Sequence, residues 1–169
     1  PGAAQSMSNI GERAAPEIVV LESKPVLTLA GKADWDTGIR AISTAISNLR
    51  REMIANGLEP AGRPLAAITD TYAEDFHFEV MMPFASKLLV GSSFSGDVQF
   101  GYSPAGKAMK FVHRGPYEEI DVTYEAINEY LGERGIKPQQ TFIEEYQTSL
   151  KNLNSEEAEI DVYIFLQQP

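Results

Sequence analysis

The chain of 169 residues contains no cysteine and only two histidines, His77 and His113. The absence of cysteine excludes disulfides, thiol nucleophiles and thiolate metal sites, and two histidines are too few for a zinc cluster. No apolar run approaches the roughly 20 residues that a helix needs to cross a bilayer, and no signal-peptide pattern opens the chain. We therefore predict no metal, no membrane partner and a cytoplasmic location.

Positive charge is also scarce, with 14 basic against 24 acidic residues and a net charge of −10. Such a chain is repelled by phosphate backbones unless it carries a dense basic patch. Arg50 and Arg51 come nearest to one, and an adjacent pair of this kind is more typical of a solvated helix face. The sequence also lacks a phosphate loop, a dinucleotide fingerprint and a Ser-His-Asp set. We predict no direct nucleic-acid binding and no cofactor, and the negative charge favours cationic ligands over anionic ones.

Length and composition are those of one globular domain. A chain of this size can bury roughly 70% of its unfolded surface, and 43% of its residues are hydrophobic. Residues 1–16 are rich in Ala, Ser, Gly and Pro without apolar periodicity, which predicts a flexible tail or linker. Residues 17–169 then hold the domain. If that domain is regulatory, its DNA-binding part must lie in a fused segment or in a partner protein. The sequence does not decide the oligomeric state.

The first half of the domain, residues 17–83, has the order strand, helix, strand, strand. Residues 18–21 and 25–31 are β-branched and bounded by turn formers, and a hairpin follows over residues 65–71 and 75–82. Between them we predict a helix capped by Asp36. Its apolar face is spaced by three and four residues and consists of Ile39, Ile42, Ile46, Leu49 and Met53.

The second half, residues 97–167, repeats this order. Strands over residues 98–102 and 108–113 precede a helix from about Tyr117, and a hairpin of residues 141–148 and 159–166 ends the domain. The apolar face of this second helix consists of Ile120, Tyr124, Ile127 and Leu131.

The ends of the two predicted helices are alike. The first ends in Asn56-Gly57-Leu58-Glu59-Pro60 and the second in Arg134-Gly135-Ile136-Lys137-Pro138. In both, glycine permits a positive φ, the next apolar residue packs back on the helix, and proline prevents its continuation. The predicted fold is therefore α+β: two strand-helix-strand-strand units form an antiparallel sheet, with both helices on one face and a ligand cleft on the other.

Two short motifs in the second half resemble a known family. The stretch Phe111-Val112-His113-Arg114-Gly115-Pro116-Tyr117-Glu118 contains His-x-Gly-x-Tyr at the start of a helix, and Glu144-Glu145-Tyr146 supplies Glu-x-Tyr on the next strand. Both motifs resemble those of the GyrI-like effector-binding family, and the resemblance covers residues 17–167. One departure lies at Ser149-Leu150, where the family often has Asp-Pro, so the rim of this loop can differ.

The resemblance implies a ligand-binding module of the kind attached to bacterial transcription regulators or found as free-standing drug-binding proteins. The family uses an acidic residue in an aromatic pocket against cationic amphipathic compounds, and the matching positions here are Glu144 and Tyr146. We therefore predict sensing or sequestration of an apolar, cationic small molecule. Two alternatives remain: a small hydrolase of strained electrophilic natural products that uses Glu144, or a gyrase-interacting protein. Whether the chain is an enzyme is left open.

Strand alternation places Phe142, Glu144 and Tyr146 on one face, and Ile143 and Glu145 on the other. If Ile143 faces the helices, Glu144 faces the cleft, but the sequence does not decide which glutamate does. No catalytic residue is assigned firmly, although Glu144 is the candidate. Aromatic rings can hold a cation over their faces, so we add a set of candidate walls, of which some are expected in the core. The candidate walls are Tyr146, Tyr163, Tyr102, Phe111, Trp35 and Phe78.

His113 resembles a catalytic base when considered alone. Its place at a strand end that enters a helix instead favours a structural hydrogen bond. Gly115 is explained by the sharp turn from strand to helix, and needs no phosphate-binding role.

Overall fold

The computed structural model describes residues 15–69, 74–85 and 92–166. The predicted tail lies outside these ranges except for its last two residues, as does most of the turn predicted at residues 72–74. Among the described residues, no helix has the length and hydropathy to span a membrane. The elements in chain order are β1 (Glu17–Leu21), β2 (Pro25–Asp34), α1 (Gly38–Ala55), β3 (Leu65–Thr69), β4 (Asp75–Pro83), β5 (Gln99–Tyr102), β6 (Gly106–Arg114), α2 (Ile120–Glu133), β7 (Pro138–Tyr146) and β8 (Glu159–Leu166).

All eight strands form one antiparallel sheet in the order β1-β6-β8-β7-β3-β4-β2-β5. The predicted α+β class and the repeated strand-helix-strand-strand order are confirmed. The strand order is symmetric about the centre of the sheet: β1, β6, β8 and β7 on one side correspond to β5, β2, β4 and β3 on the other. The two halves meet where β7 pairs with β3. The edge strands are exchanged between the halves, because β1 pairs with β6 and β5 pairs with β2.

The two helices end in the same geometry. Gly57 and Gly135 have φ values of 65° and 62°. The next residue of each, Leu58 and Ile136, donates its backbone N–H to a carbonyl five residues back, at 2.9 Å in both cases. This bond satisfies a carbonyl that the helix end would otherwise leave without a partner. The likeness of the two helix ends in the sequence therefore reflects a likeness in structure.

The predicted cap of the first helix is wrong, because the N-cap position is Thr37 and no side chain makes a capping hydrogen bond there. Asp34, and not Asp36, accepts hydrogen bonds from the backbone N–H of Thr37 at 2.7 Å and from its hydroxyl at 2.8 Å. These bonds hold the pKa of Asp34 below its ordinary value. The Asp34 carboxylate thus closes a turn that ends at Thr37, just before the first helical residue, Gly38.

Buried apolar side chains lie on both faces of the sheet. The larger apolar cluster lies between the sheet and the helices and includes Phe76 and Val162. A smaller cluster on the far face contains Ile143 and Tyr163. Since neighbouring residues of a strand point to opposite faces, Glu144 faces the helices. The expectation that Ile143 faces the helices is therefore wrong.

The helices leave the middle of the sheet uncovered on their own face. Helix α1 packs on β2 and β4, and α2 packs on β6. The central strands β3 and β7 therefore form the floor of a groove between the two helices. The predicted cleft does lie between the two halves, but the cavity beside Glu144 opens on the helix face and not on the opposite one.

Candidate functional site

A cavity of about 550 Å³ occupies the groove between the helices. Its volume is in the range typical of small-molecule sites. The start of α1 contributes Gly38 and Ile39, and the sheet contributes Ile68 from β3. The aromatic side chains of the lining are Trp35, Phe76, Tyr117, Tyr124 and Phe142.

Glu144 lies next to this cavity and is 1% exposed. Three tyrosine hydroxyls donate hydrogen bonds to its carboxylate. Tyr117 and Tyr146 donate to Oε1 at 2.8 and 2.7 Å, and Tyr124 donates to Oε2 at 2.6 Å. No lysine or arginine among the described residues lies within ion-pair distance of Glu144, so this buried carboxylate is held by neutral donors alone.

Burial raises the pKa of Glu144 above its ordinary value, and the hydrogen bonds from Tyr124, Tyr146 and Tyr117 oppose that rise. Burial and the neighbouring carboxylate also raise the pKa values of the three tyrosines well above 10.0. The hydroxyls therefore stay protonated and remain donors. Both effects follow from removing charge from water, which disfavours the ionised form of each acid.

The outer lining of the cavity is acidic. Four carboxylates take part, and the described residues that line the cavity include no lysine, arginine or histidine. All four side chains are exposed, so water and salt screen them more than Glu144. Their field attracts cations to the mouth of the cavity. The four residues are Asp36, Glu118, Asp121 and Glu125.

The ring of His113 is buried and both of its nitrogens are engaged. Nε2 lies 2.9 Å from the carbonyl oxygen of Pro116, which can only accept, so Nε2 carries a proton. Nδ1 lies 2.6 Å from the hydroxyl of Thr123. The ring thus ties the end of β6 to the start of α2, as the structural interpretation of His113 predicts. Gly115, with a φ of 113°, makes the sharp turn between them.

The family model for the GyrI-like small molecule binding domain matches residues 14–167. The chain belongs to this family. The resemblance inferred from the two motifs is confirmed. Two of the three tyrosines that contact Glu144 belong to these motifs, because Tyr117 ends His-x-Gly-x-Tyr and Tyr146 ends Glu-x-Tyr. No curated protein sequence matches the chain.

Several solved structures share the fold of this GyrI-like domain. EcmrR in complex with DNA is 16% identical with a TM-score of 0.76; the alignment covers 99% of this chain and 63% of EcmrR, so the domain spans less than two thirds of that protein. A hydrolase from Listeria innocua is 11% identical with a TM-score of 0.63, covering 91% and 92% of the two chains. SAV2435 bound to tetraphenylphosphonium is 11% identical with a TM-score of 0.60, covering 90% and 93%. At these identities the likeness shows the fold alone.

The structure brings two of the six candidate aromatic walls to the site. Trp35 lines the cavity, and Tyr146 contacts Glu144. Phe111 is buried in the core with its ring 5.7 Å from that of Tyr130. Phe78 is also in the core, close to the backbone of β2.

The remaining two candidate walls lie away from Glu144. Tyr102 is 66% exposed on the edge strand β5. Tyr163 lies on the far face of the sheet, where its hydroxyl donates to Glu145 and not to Glu144. The strand pattern shows that successive side chains of a strand point to opposite faces of the sheet, but it does not show which face the helices cover.

Sequence reasoning missed Tyr117 and Tyr124 as partners of Glu144, and it missed the acidic lining. One signal was available: Tyr117 and Tyr124 are seven residues apart, which places two residues of a helical stretch on one face. The acidic lining carried no such signal, since isolated carboxylates near a helix start are also common on solvated surfaces.

Proposed function

We propose that this domain binds an apolar cationic small molecule in the cavity between its helices. The observation that carries this proposal is the carboxylate of Glu144, which is buried beside an aromatic cavity and has no lysine or arginine within ion-pair distance among the described residues. A buried carboxylate without a counter-charge is costly unless it is protonated or paired. A bound cation supplies that charge.

The lining suits a cation with a large apolar surface. Trp35, Phe76 and Phe142 offer rings that gain area by contact, and the face of Trp35 can interact with positive charge. The acidic outer lining speeds the approach of cations and slows that of anions.

The hydrogen bonds at Glu144 narrow the ligand class further. A carboxylate offers about four acceptor positions, and three tyrosine hydroxyls already use three of them. A ligand that donates several hydrogen bonds would have to displace tyrosines, whereas a cation without N–H groups need not. The site therefore favours quaternary or delocalised lipophilic cations, of which tetraphenylphosphonium, bound to SAV2435, is a convenient probe.

Tetraphenylphosphonium and tetraphenylborate form a matched pair of probes, because they share one shape and carry opposite charge. Trp35 is the only tryptophan and lines the cavity, so its fluorescence reports binding. In a sodium buffer, the phosphonium should bind at least about 100-fold more tightly than the borate, equivalent to about 2.7 kcal/mol. Equal affinities, or tighter binding of the anion, would contradict a cation site.

We further propose that the domain serves as the sensing part of a transcription regulator. The support is its fold, shared with EcmrR, which has been captured in complex with DNA. The cavity lies where the two halves meet at the β3–β7 pair, so a ligand that bridges the helices would change how the halves sit together. A free-standing protein that sequesters the ligand would use the same site. It would differ from a sensor only in having no attached DNA-binding part.

A hydrolase is the second candidate, favoured by the raised pKa of Glu144 and by the hydroxyls that surround it. In this reaction Glu144 takes a proton from water while the water oxygen bonds to a strained ring carbon. The ring bond breaks, and its electron pair is stabilised by the hydroxyl of Tyr146 or Tyr117 before it is protonated. Tyr163, a candidate wall in the sequence, lies on the other face of the sheet and cannot assist Glu144. The fold shared with the Listeria innocua hydrolase adds support.

Mass spectrometry distinguishes turnover from binding. Incubation with an activated cyclopropane compound should give a product heavier by one water, faster than in buffer alone. The rate should fall as pH drops through the pKa of Glu144, which burial raises, because the base must be ionised. A Glu144→Gln protein that forms product at the unchanged rate would exclude this mechanism.

A further inference from the structure

A second cavity, of about 310 Å³, lies on the face of the sheet away from the helices. Leu65 of β3 and Ile143 of β7 form its apolar floor, and Leu21, at the end of β1, contributes to its wall. Ile143 is 2% exposed and belongs to the smaller apolar cluster. This cavity shares no lining residue with the one between the helices.

The inner part of this second cavity holds a positioned carboxylate. Tyr163, itself 7% exposed, donates its hydroxyl to Glu145 Oε1 at 3.1 Å. The side-chain amide of Gln147 contacts the same oxygen, and it donates to Asp161 at 3.0 Å. Within the described ranges, no lysine or arginine lies within ion-pair distance of Glu145. The carboxylate is thus fixed by neutral donors on the cavity wall, and Lys110 pairs with Asp161, opposite Glu145 on β8, at 3.7 Å.

Two basic side chains line the same cavity. Lys24 and Arg63 are exposed, and neither has a carboxylate partner in the described part of the chain. Lys24 is fixed at its backbone, where its N–H donates to the buried hydroxyl of Ser103 at 2.9 Å. Glu22 adds a second carboxylate. Both signs of charge therefore meet here, whereas the lining of the first cavity is acidic throughout.

We propose that this cavity is a second ligand site, which takes a small zwitterion with an apolar side chain. The ammonium group of the ligand pairs with Glu145, its carboxylate pairs with Lys24 and Arg63, and its side chain packs on Leu65 and Ile143. The volume is at the lower end of the range for ligand sites, which suits a molecule of amino-acid size. The proposal does not rest on the function of the first cavity.

The charge pattern decides the ligand class. A purely anionic ligand would meet Glu145 and Glu22, and a purely cationic one would leave Lys24 and Arg63 unpaired beside it. Only a molecule with both charges can pair its ammonium group with a glutamate and its carboxylate with the basic side chains. Hydrogen bonds that involve charged groups are stronger than those between neutral groups. Adjacent residues of β7 thus serve two sites, Glu144 on the helix face and Glu145 on the far face.

Three related compounds test the proposal: L-phenylalanine, its amide, which lacks the carboxylate, and its N-acetyl form, which lacks the ammonium group. In backbone NMR spectra of the full chain, phenylalanine should shift the amides of Leu21, Ile143 and Tyr163 saturably. Each derivative should bind at least about tenfold more weakly, a loss of about 1.4 kcal/mol. Equal binding of all three, shifts confined to the Trp35 side, or no saturation by about 10 mM would overturn the proposal.

Matched variants separate the two sites. Glu145→Gln should remove phenylalanine binding and leave tetraphenylphosphonium binding unchanged, and Glu144→Gln should leave phenylalanine binding unchanged. Arg63→Gln, at an exposed position, should weaken the binding of phenylalanine and leave the binding of its amide unchanged. This variant tests the proposal if Glu145→Gln fails to fold. Phenylalanine binding that survives both Glu145→Gln and Arg63→Gln would contradict the assigned pairing.

Discussion

Replacing Glu144 by glutamine should weaken tetraphenylphosphonium binding about 30-fold or more, equivalent to about 2 kcal/mol. The amide keeps the shape of the side chain and can still accept hydrogen bonds, but it has no charge. The loss is large because the carboxylate is 1% exposed and therefore poorly screened by water. Titration of Trp35 fluorescence measures the change.

Glu145→Gln is the matched control for this prediction, because it removes the same charge from the next residue of β7 on the opposite face. Its effect on the phosphonium should be less than about twofold, because Glu145 lies on the other face of the sheet and is only half-buried. The gap between phosphonium and borate affinities should also narrow in Glu144→Gln. Equal losses in the two variants would show that only the overall charge of the domain matters.

Phe76→Ala should lower the free energy of unfolding by about 3–5 kcal/mol. The Phe76 side chain is 1% exposed, and its ring lies 4.5 Å from that of Trp35. Packing around it is tight, since a Cβ atom built at Gly38 would lie 2.8 Å from the ring. Removing the ring leaves an empty space in the core and in the wall of the cavity. Urea unfolding measures the lost free energy of unfolding through the shift in the midpoint.

Phe100→Ala is the control for the core prediction. Phe100 lies on the edge strand β5 and is 40% exposed, so its removal should cost about 1 kcal/mol or less. If both variants lose the same stability, Phe76 is not the packed centre that the structure describes. If Phe76→Ala keeps its stability, the first cavity must collapse around the missing ring.

The sequence was sufficient for those features that depend on local chemistry. Gly57 and Gly135 end their helices because only glycine adopts a positive φ without strain, and this need is visible in a single residue. The repeated order of elements followed from these ends and from the apolar spacing between them. The motif at Glu144 and Tyr146 identified the buried carboxylate and one of its three donors.

The face of the site could not be predicted, for a physical reason. Alternation along β7 shows that Glu144 and Ile143 point in opposite directions, but both faces of this sheet carry buried apolar residues. An apolar residue such as Ile143 then carries no information about which face the helices cover. The aromatic rings of Tyr163 and Phe111 were misplaced for the same reason, because burial in the core and exposure to a cavity require similar residues.

The exchange of edge strands also lay beyond the sequence. Pairing of β1 with β6 joins residues about ninety positions apart, as between Val19 and Ala108, and no local pattern encodes such a partner. The turn closed by Asp34 was overlooked because Asp36 stands closer to the helix and fits the rule for a capping residue.

A crystal structure of the complex with tetraphenylphosphonium tests the central claim most directly. The account predicts that the ligand lies between α1 and α2, in contact with Trp35 and Phe142, with its positive centre facing Glu144. A ligand bound on the far face beside Tyr163, or bound between the helices with its positive centre facing only the exposed carboxylates, would contradict the role given to Glu144.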